Sequence, residues 1–123
     1  MKDQLFSIRL AAILGFLVVA IGAFGAHSLQ GVLLTNGTQS RFDTAIEYHA
    51  FHTLAILAIS LCNTLFKRAI VLFTIGILLF SGSLYVGCFH LAKFWNYITP
   101  VGGLFFLMGW ISLFWSASKA SRK

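Results

Sequence analysis

Charged residues punctuate this chain rather than cover it. The nine basic residues are Lys2, Arg9, Arg41, Lys67, Arg68, Lys93, Lys119, Arg122 and Lys123, and the three acidic ones are Asp3, Asp43 and Glu47. Between them run four charge-free stretches, 10–40, 48–66, 69–92 and 94–118. A membrane-spanning helix needs about 20 mostly apolar residues to cross roughly 30 Å of hydrocarbon. The last three stretches match that length, and in the first the apolar density collapses after Ala26. The expected architecture is therefore an all-α integral membrane protein, a single domain over 1–123. Its four transmembrane helices are expected near 8–26, 44–66, 69–91 and 97–117, packed as a tight bundle. Hydrocarbon offers backbone groups no water, so helices are required, and the alternation of a barrel strand is absent. A soluble fold is excluded by composition: 59% hydrophobic and 10% charged in 123 residues, against about 45–50% and about 25% for ordinary domains. No polar loops remain to carry the active site of a Rossmann or barrel enzyme.

The same charges orient the chain. An even number of spans places both termini beside the Lys67–Arg68 turn, together with Lys2, Arg9, Lys119, Arg122 and Lys123. The opposite side holds Arg41 and Lys93, with Asp43 and Glu47 offsetting Arg41. This asymmetry puts both termini in the cytoplasm of a bacterial cell and the chain in its inner membrane. The net charge of +6 thus reports topology and contact with the lipid bilayer. No aromatic–basic platform for nucleic acid accompanies it. Lys2 and Arg9 before Ala23-Phe24-Gly25 loosely imitate a secretory signal, but the apolar run, roughly 17 residues, exceeds the usual h-region. It reads as a retained first span. Cys62 and Cys88 should lie roughly 20 Å apart in depth, beyond the approximately 7 Å reach of a disulfide. They read as small core residues.

Topology gathers polar residues at the outer face. His27 ends the first helix there, Asp43, Glu47, Tyr48, His49 and His52 open the second, and Tyr85 and His90 lie on the third. Ionisable residues within spans are costly and tend to face a bundle interior. Tyr48 and His49 share helical faces with His52, whereas Glu47 points about 140° away from it. Neither His-Glu-x-x-His nor Glu-x-x-His occurs, so metal-ligand spacing is weak and rests on His27 and His52. Bland roles compete. Thr44-Ala45-Ile46-Glu47 fits a capping box, His27 fits a helix end, His49 and His90 fit the interface, and His52 fits an interhelical hydrogen bond. Leu29, Val32 and Leu33 suggest a short amphipathic helix on the outer leaflet before a Thr35-Asn36-Gly37-Thr38 turn,. Asn36-Gly37-Thr38 also formally matches a glycosylation acceptor. Trp95, Tyr97, Trp110 and Trp115 fit an aromatic belt. Small residues (Ala11, Gly15, Gly22, Gly25 and Ala26; Gly82, Ser83 and Gly87; Gly102, Gly103 and Gly109) mark close helix approaches,. Pro100 is expected in the first turn of the last helix.

Several blocks together resemble a known family. Gly22-Ala23-Phe24-Gly25-Ala26-His27 and Phe42-x-x-Ala45-x-x-Tyr48-x-x-x-His52 are similar to its N-terminal blocks. Phe80-Ser81-Gly82-Ser83-Leu84-Tyr85, Thr99-Pro100-Val101-Gly102-Gly103 and Gly109-Trp110 are similar to its C-terminal ones. The family is that of domain of unknown function 423, small bacterial inner-membrane proteins related to eukaryotic transmembrane protein 256. The resemblance implies a four-span membrane protein and no particular reaction. It carries over His27, Tyr48, His52, Ser81, Gly82, Tyr85, Pro100 and Gly103 as motif residues. The family's usual glutamine after the helix-2 tyrosine is replaced here by His49, and His90 belongs to no motif.

The candidate polar cluster is therefore His27, Glu47, Tyr48, His52 and Tyr85, with Gly22, Gly25, Gly82, Gly102 and Gly103 as packing positions. No nucleophile–base–orienter set is visible and no cofactor is called for. The first reading is a non-enzymatic accessory or assembly subunit, partnered by other membrane subunits or by its own copies. The alternatives are a proton- or metal-handling site at the outer face, or a lipid- or quinone-binding protein.

Overall fold

The structure, a computed structural model, describes residues 1–62 and 66–120, with Ala120 described by its backbone alone. The described chain is helical: α1 (Lys2–Ala26), α2 (Gln30–Asn36), α3 (Gln39–Ser60), α4 (Lys67–Gly76), a π-helical turn (Ile77–Ser81), α5 (Gly82–Phe89) and α6 (Trp95–Ala120). Three helical segments are long and apolar enough to cross a membrane: α1, the continuous α4–π–α5 rod, and α6. At 22 residues, α3 has the same reach, about 33 Å, but bears Arg41, Asp43 and Glu47.

Helix boundaries depart from the hydropathy reading in physical ways. α2 ends where Gly37 takes a left-handed conformation (φ 65°). The Gly37 N–H donates to the Leu34 carbonyl (3.1 Å) and the Thr38 N–H to the Leu33 carbonyl (2.9 Å), a Schellman closure,. The chain re-enters a helix at once, so α3 starts at Gln39 rather than near 44 and ends at Ser60. Thr44 is then inside α3, with its hydroxyl donating to the Ser40 carbonyl (3.0 Å). The expected Thr44–Glu47 capping box does not form. α6 likewise starts at Trp95, entered through Asn96 and Tyr97 N–H groups donating to the Lys93 and Phe94 carbonyls (3.0 and 3.1 Å). Pro100 therefore lies inside the helix, past the first turn, where its missing N–H leaves the Asn96 carbonyl without an intrahelical donor.

The α4–π–α5 rod is the centre of the molecule. α3 and α6 both pack against it, while α1 packs on α3. Among the described residues α1 and α6 make no comparable contact, so the four long elements adjoin in the order α1, α3, rod, α6, a row bent enough for α3 side chains to reach α6. One core cluster joins Ala11 and Leu14 of α1, Ile56 and Ile59 of α3, Ile70, Phe73 and Ile77 of the rod, and Phe106 of α6. A second joins Leu33, Phe42 and Cys88. The short α2 is thus pinned by Leu33, which is fully buried. Asn36 Nδ2 (3.0 Å) and Thr38 Oγ1 (3.3 Å) donate to the Cys88 carbonyl, and Arg41 Nη1 (3.2 Å) donates to that of Gly87. These bonds satisfy terminal carbonyls of α5 and occupy Asn36 of the glycosylation-like triplet. Cys88 is buried, but Cys62 is exposed and so is no core residue; both are free.

Glycine–phenylalanine interlocks set the helix spacing. A Cβ on Gly76 would lie 2.4 Å from the Phe106 ring, and one on Gly109 would lie 2.6 Å from the Phe73 ring. One on Gly102 would lie 2.2 Å from the Phe80 backbone nitrogen, and one on Gly25 2.2 Å from the Phe42 ring. Gly22 and Gly103 have ordinary contact distances of 3.8 and 3.7 Å, and Gly82 meets nothing nearer than 4.0 Å. Of the five glycines named as packing positions, Gly25 and Gly102 have a neighbour that a Cβ would clash with.

Candidate functional site

The π turn brings Phe80 and Ser81 to the middle of the row. Ser81 is buried and its hydroxyl donates to the Ala45 carbonyl of α3 at 2.8 Å. Phe80 stacks beside Tyr48, with ring centroids 4.6 Å apart. A groove of about 720 Å³ lies between α3 and α6. Glu47, Tyr48, Phe51 and His52 line it from α3, Phe80 from the π turn, and Pro100, Gly103, Leu104, Phe106, Leu107 and Trp110 from α6.

His52 is the groove's most constrained polar group. Its ring lies flat on Phe106, with centroids 3.6 Å apart and planes 7° apart. Its Nδ1 lies 2.8 Å from the Tyr48 carbonyl, while the Trp110 indole N–H donates to its Nε2 at 3.2 Å. Tryptophan is a donor only, so Nε2 accepts, and Nδ1 carries the proton that goes to the carbonyl. The two bonds define one neutral tautomer with no lone pair left over. This is the interhelical hydrogen bond expected of His52, and it competes directly with metal ligation or proton transfer there.

The expected polar cluster is divided between two places. Glu47, Tyr48 and His52 share the groove, because α6 supplies the second wall that Glu47 needed to join His52. Tyr85 belongs elsewhere: its hydroxyl lies 3.0 Å from Nδ1 of His49. His49, expected at the interface, is instead buried at 3% exposure. No geometrically satisfactory partner reaches its Nε2. His27 is exposed beyond the end of α1, where its backbone N–H donates to the Phe24 carbonyl (3.3 Å). His90 is likewise exposed, at the end of α5. Among the described residues, no three His, Cys, Asp or Glu side chains are grouped as a metal site would require.

Trp110, expected in the aromatic belt, stands well inside α6 and bonds His52. The signal that could have found it is its place in mid-span, where a buried indole N–H needs an acceptor. Phe80 and Phe106 carry no such signal, since an aromatic residue in an apolar run is indistinguishable from core.

Apolar helices held by glycine–phenylalanine interlocks, with a groove walled mainly by rings and leucines, define a small helical membrane protein. The chain belongs to the family described as "Protein of unknown function (DUF423)", whose model matches residues 21–103. It is 44% identical over 117 residues to a UPF0382 membrane protein of Haemophilus influenzae, covering 92% of this chain and 94% of that one. It is 41% identical over 125 residues to the UPF0382 inner membrane protein YgdD of Escherichia coli K12, covering 96% and 93%. The UPF0382 membrane protein YwdK of Bacillus subtilis is 36% identical over 118 residues, covering 91% and 95%. No solved structure matches.

Proposed function

We propose that this is a four-span inner-membrane protein with both termini in the cytoplasm. In this reading it has no catalytic role and holds the apolar chain of a membrane lipid or quinone in the α3–α6 groove. The groove itself carries the reading. Its volume of about 720 Å³ falls within the 300–1,000 Å³ typical of ligand sites, and an apolar wall with few polar groups is what such sites present. The lining groups capable of acid–base work are Glu47, Tyr48 and His52, and His52 is bonded through both nitrogens. The small residues of the helices are spent inside the molecule, Gly15 on Thr53, Gly25 on Phe42 and Gly109 on Phe73.

The fourth span is α3. Its Arg41 is occupied by the Gly87 carbonyl and its Asp43 accepts from Gln39 Nε2 (2.9 Å), which lowers the cost of placing that end near the bilayer. The basic side expected to face the cytoplasm includes Arg122 and Lys123, which lie outside the described residues.

Two measurements test these statements. In a variant free of native cysteines, Lys93→Cys should react with an impermeant maleimide from outside the inner membrane, and Lys119→Cys only after permeabilisation; the reverse pattern overturns the topology. Native mass spectrometry of the purified protein should find a lipid or quinone retained by the wild type and lost on Leu107→Trp, which fills the groove. Equal retention by a folded Leu107→Trp variant overturns the ligand reading. The accessory-subunit reading is favoured by α1, whose Ile13, Phe16 and Val19 stay exposed while α1 packs on α3 and α2. It predicts a protein, rather than a lipid, as the species retained.

A further inference from the structure

At the far end of the row from Glu47, α4 begins and α6 finishes side by side, enclosing a recess of about 380 Å³. Two cations enter it, Arg68 from the first turn of α4 and Lys119 from the last turn of α6. Among the described residues no carboxylate lines it. The three acids of the chain lie elsewhere: Asp3 is paired with Lys67, and Asp43 and Glu47 are at the opposite end of α3. Among the described residues Arg68 and Lys119 therefore share the recess with no internal counter-ion.

Two hydroxyls share the recess with them, Ser112 and Ser116. Ser112, Ser116 and Lys119 lie on one stripe of α6 by their spacing. Elsewhere in the molecule, hydroxyls are turned back onto their own helix: Ser7, Thr53, Ser60, Thr74 and Ser118 each donate to the carbonyl four residues earlier. Among the described residues, Ser112 and Ser116 make no such bond. The recess thus offers a guanidinium, an ammonium and two uncommitted hydroxyls. Trp115 borders it, and Met108 and Ile111 extend it toward the apolar middle of α6.

We infer that this recess binds the headgroup of an anionic phospholipid. Arginine's planar fork matches phosphate oxygens in pairs, and lysine adds a second positive charge. Serine hydroxyls complete the oxygen shell, and an interfacial tryptophan suits the depth of the glycerol backbone. Met108 and Ile111 favour a lipid over free phosphate, because they continue the recess along the path an acyl chain would take. Basic pockets between helices are a recurrent means of holding such headgroups. The site is separate from the α3–α6 groove and does not depend on what that groove holds.

The test uses the full chain in detergent, titrated with phosphatidylglycerol or phosphatidylcholine of matched acyl chains and read by native mass spectrometry. Phosphatidylglycerol should bind preferentially. Arg68→Gln and Lys119→Gln should each weaken it about fivefold, which corresponds to about 1 kcal/mol per cation near the headgroup. Ser112→Ala with Ser116→Ala should weaken it further with all charges intact, whereas Lys2→Gln, at the same end but outside the recess, should change nothing. Melting temperature checks the fold of each variant, and Arg68→Lys and Lys119→Arg serve as charge-preserving variants if either glutamine variant unfolds. Equal losses from Lys2→Gln and Arg68→Gln would mean diffuse attraction and overturn the site. So would equal binding of both lipids, or displacement of phosphatidylglycerol by millimolar inorganic phosphate alone.

Discussion

His52 and His49 sit three positions apart on one helix and have opposite circumstances. His52 is held between the Tyr48 carbonyl and the Trp110 indole, so every polar atom of its ring has a partner. Trp110→Phe keeps the aromatic bulk and removes one donor, leaving Nε2 as a buried acceptor. It should cost about 1–2 kcal/mol, seen as a lower midpoint of thermal unfolding in detergent, with no change in oligomeric state. His49 has one partner, Tyr85, and one nitrogen with none. His49→Gln keeps a polar atom for the Tyr85 hydroxyl but buries an amide with two donors and an acceptor, and should melt at the wild-type temperature or below. His49→Leu strands that hydroxyl and should cost about 1–3 kcal/mol by the same measurement. That His52 needed an interhelical partner was legible from its depth in an apolar run. Which residue supplied it was not, because Trp110 lies 58 positions away and no local pattern links the two.

At the scale of elements, the decisive feature is the π turn at Ile77–Ser81. A single widened turn shifts the faces of the residues that follow, and π turns are often found at functional positions. Here it sets Phe80 under the groove and sends the Ser81 hydroxyl to α3. Hydropathy reads 69–91 as one uninterrupted span and carries no trace of the change in winding. The glycines were legible as small residues but not as contacts. Gly102 abuts the Phe80 backbone, whereas Gly82 has free space around it. Gly102→Ala must push backbone against backbone and should cost about 1–3 kcal/mol. Gly82→Ala meets nothing and should be neutral or stabilising by up to about 1 kcal/mol, the helical preference of alanine over glycine. Chemical or thermal unfolding of the two variants side by side separates close packing from mere smallness.

For the molecule as a whole, surface ion pairing contributes little and apolar continuity contributes most. The Asp3–Lys67 pair joins the start of α1 to the start of α4 but is largely exposed on both sides, so solvent screens it. Asp3→Asn should leave the melting temperature unchanged within error; a clear drop would mean that this pair, rather than the shared core around Ile56 and Phe73, holds the two ends together. The sequence alone determined the solvent in which this chain folds and roughly where its long helices lie, because a bilayer tolerates unpaired charge so poorly that twelve charged residues suffice to separate the apolar stretches,. It determined the family as well, through motifs whose order is preserved along the chain. The tertiary structure decided which polar residues meet. It separated Tyr85 from His52, left His27 outside both sites and opened the α3–α6 groove, because those outcomes depend on side chains from distant helices competing for one space, and nothing in local spacing encodes the result of that competition.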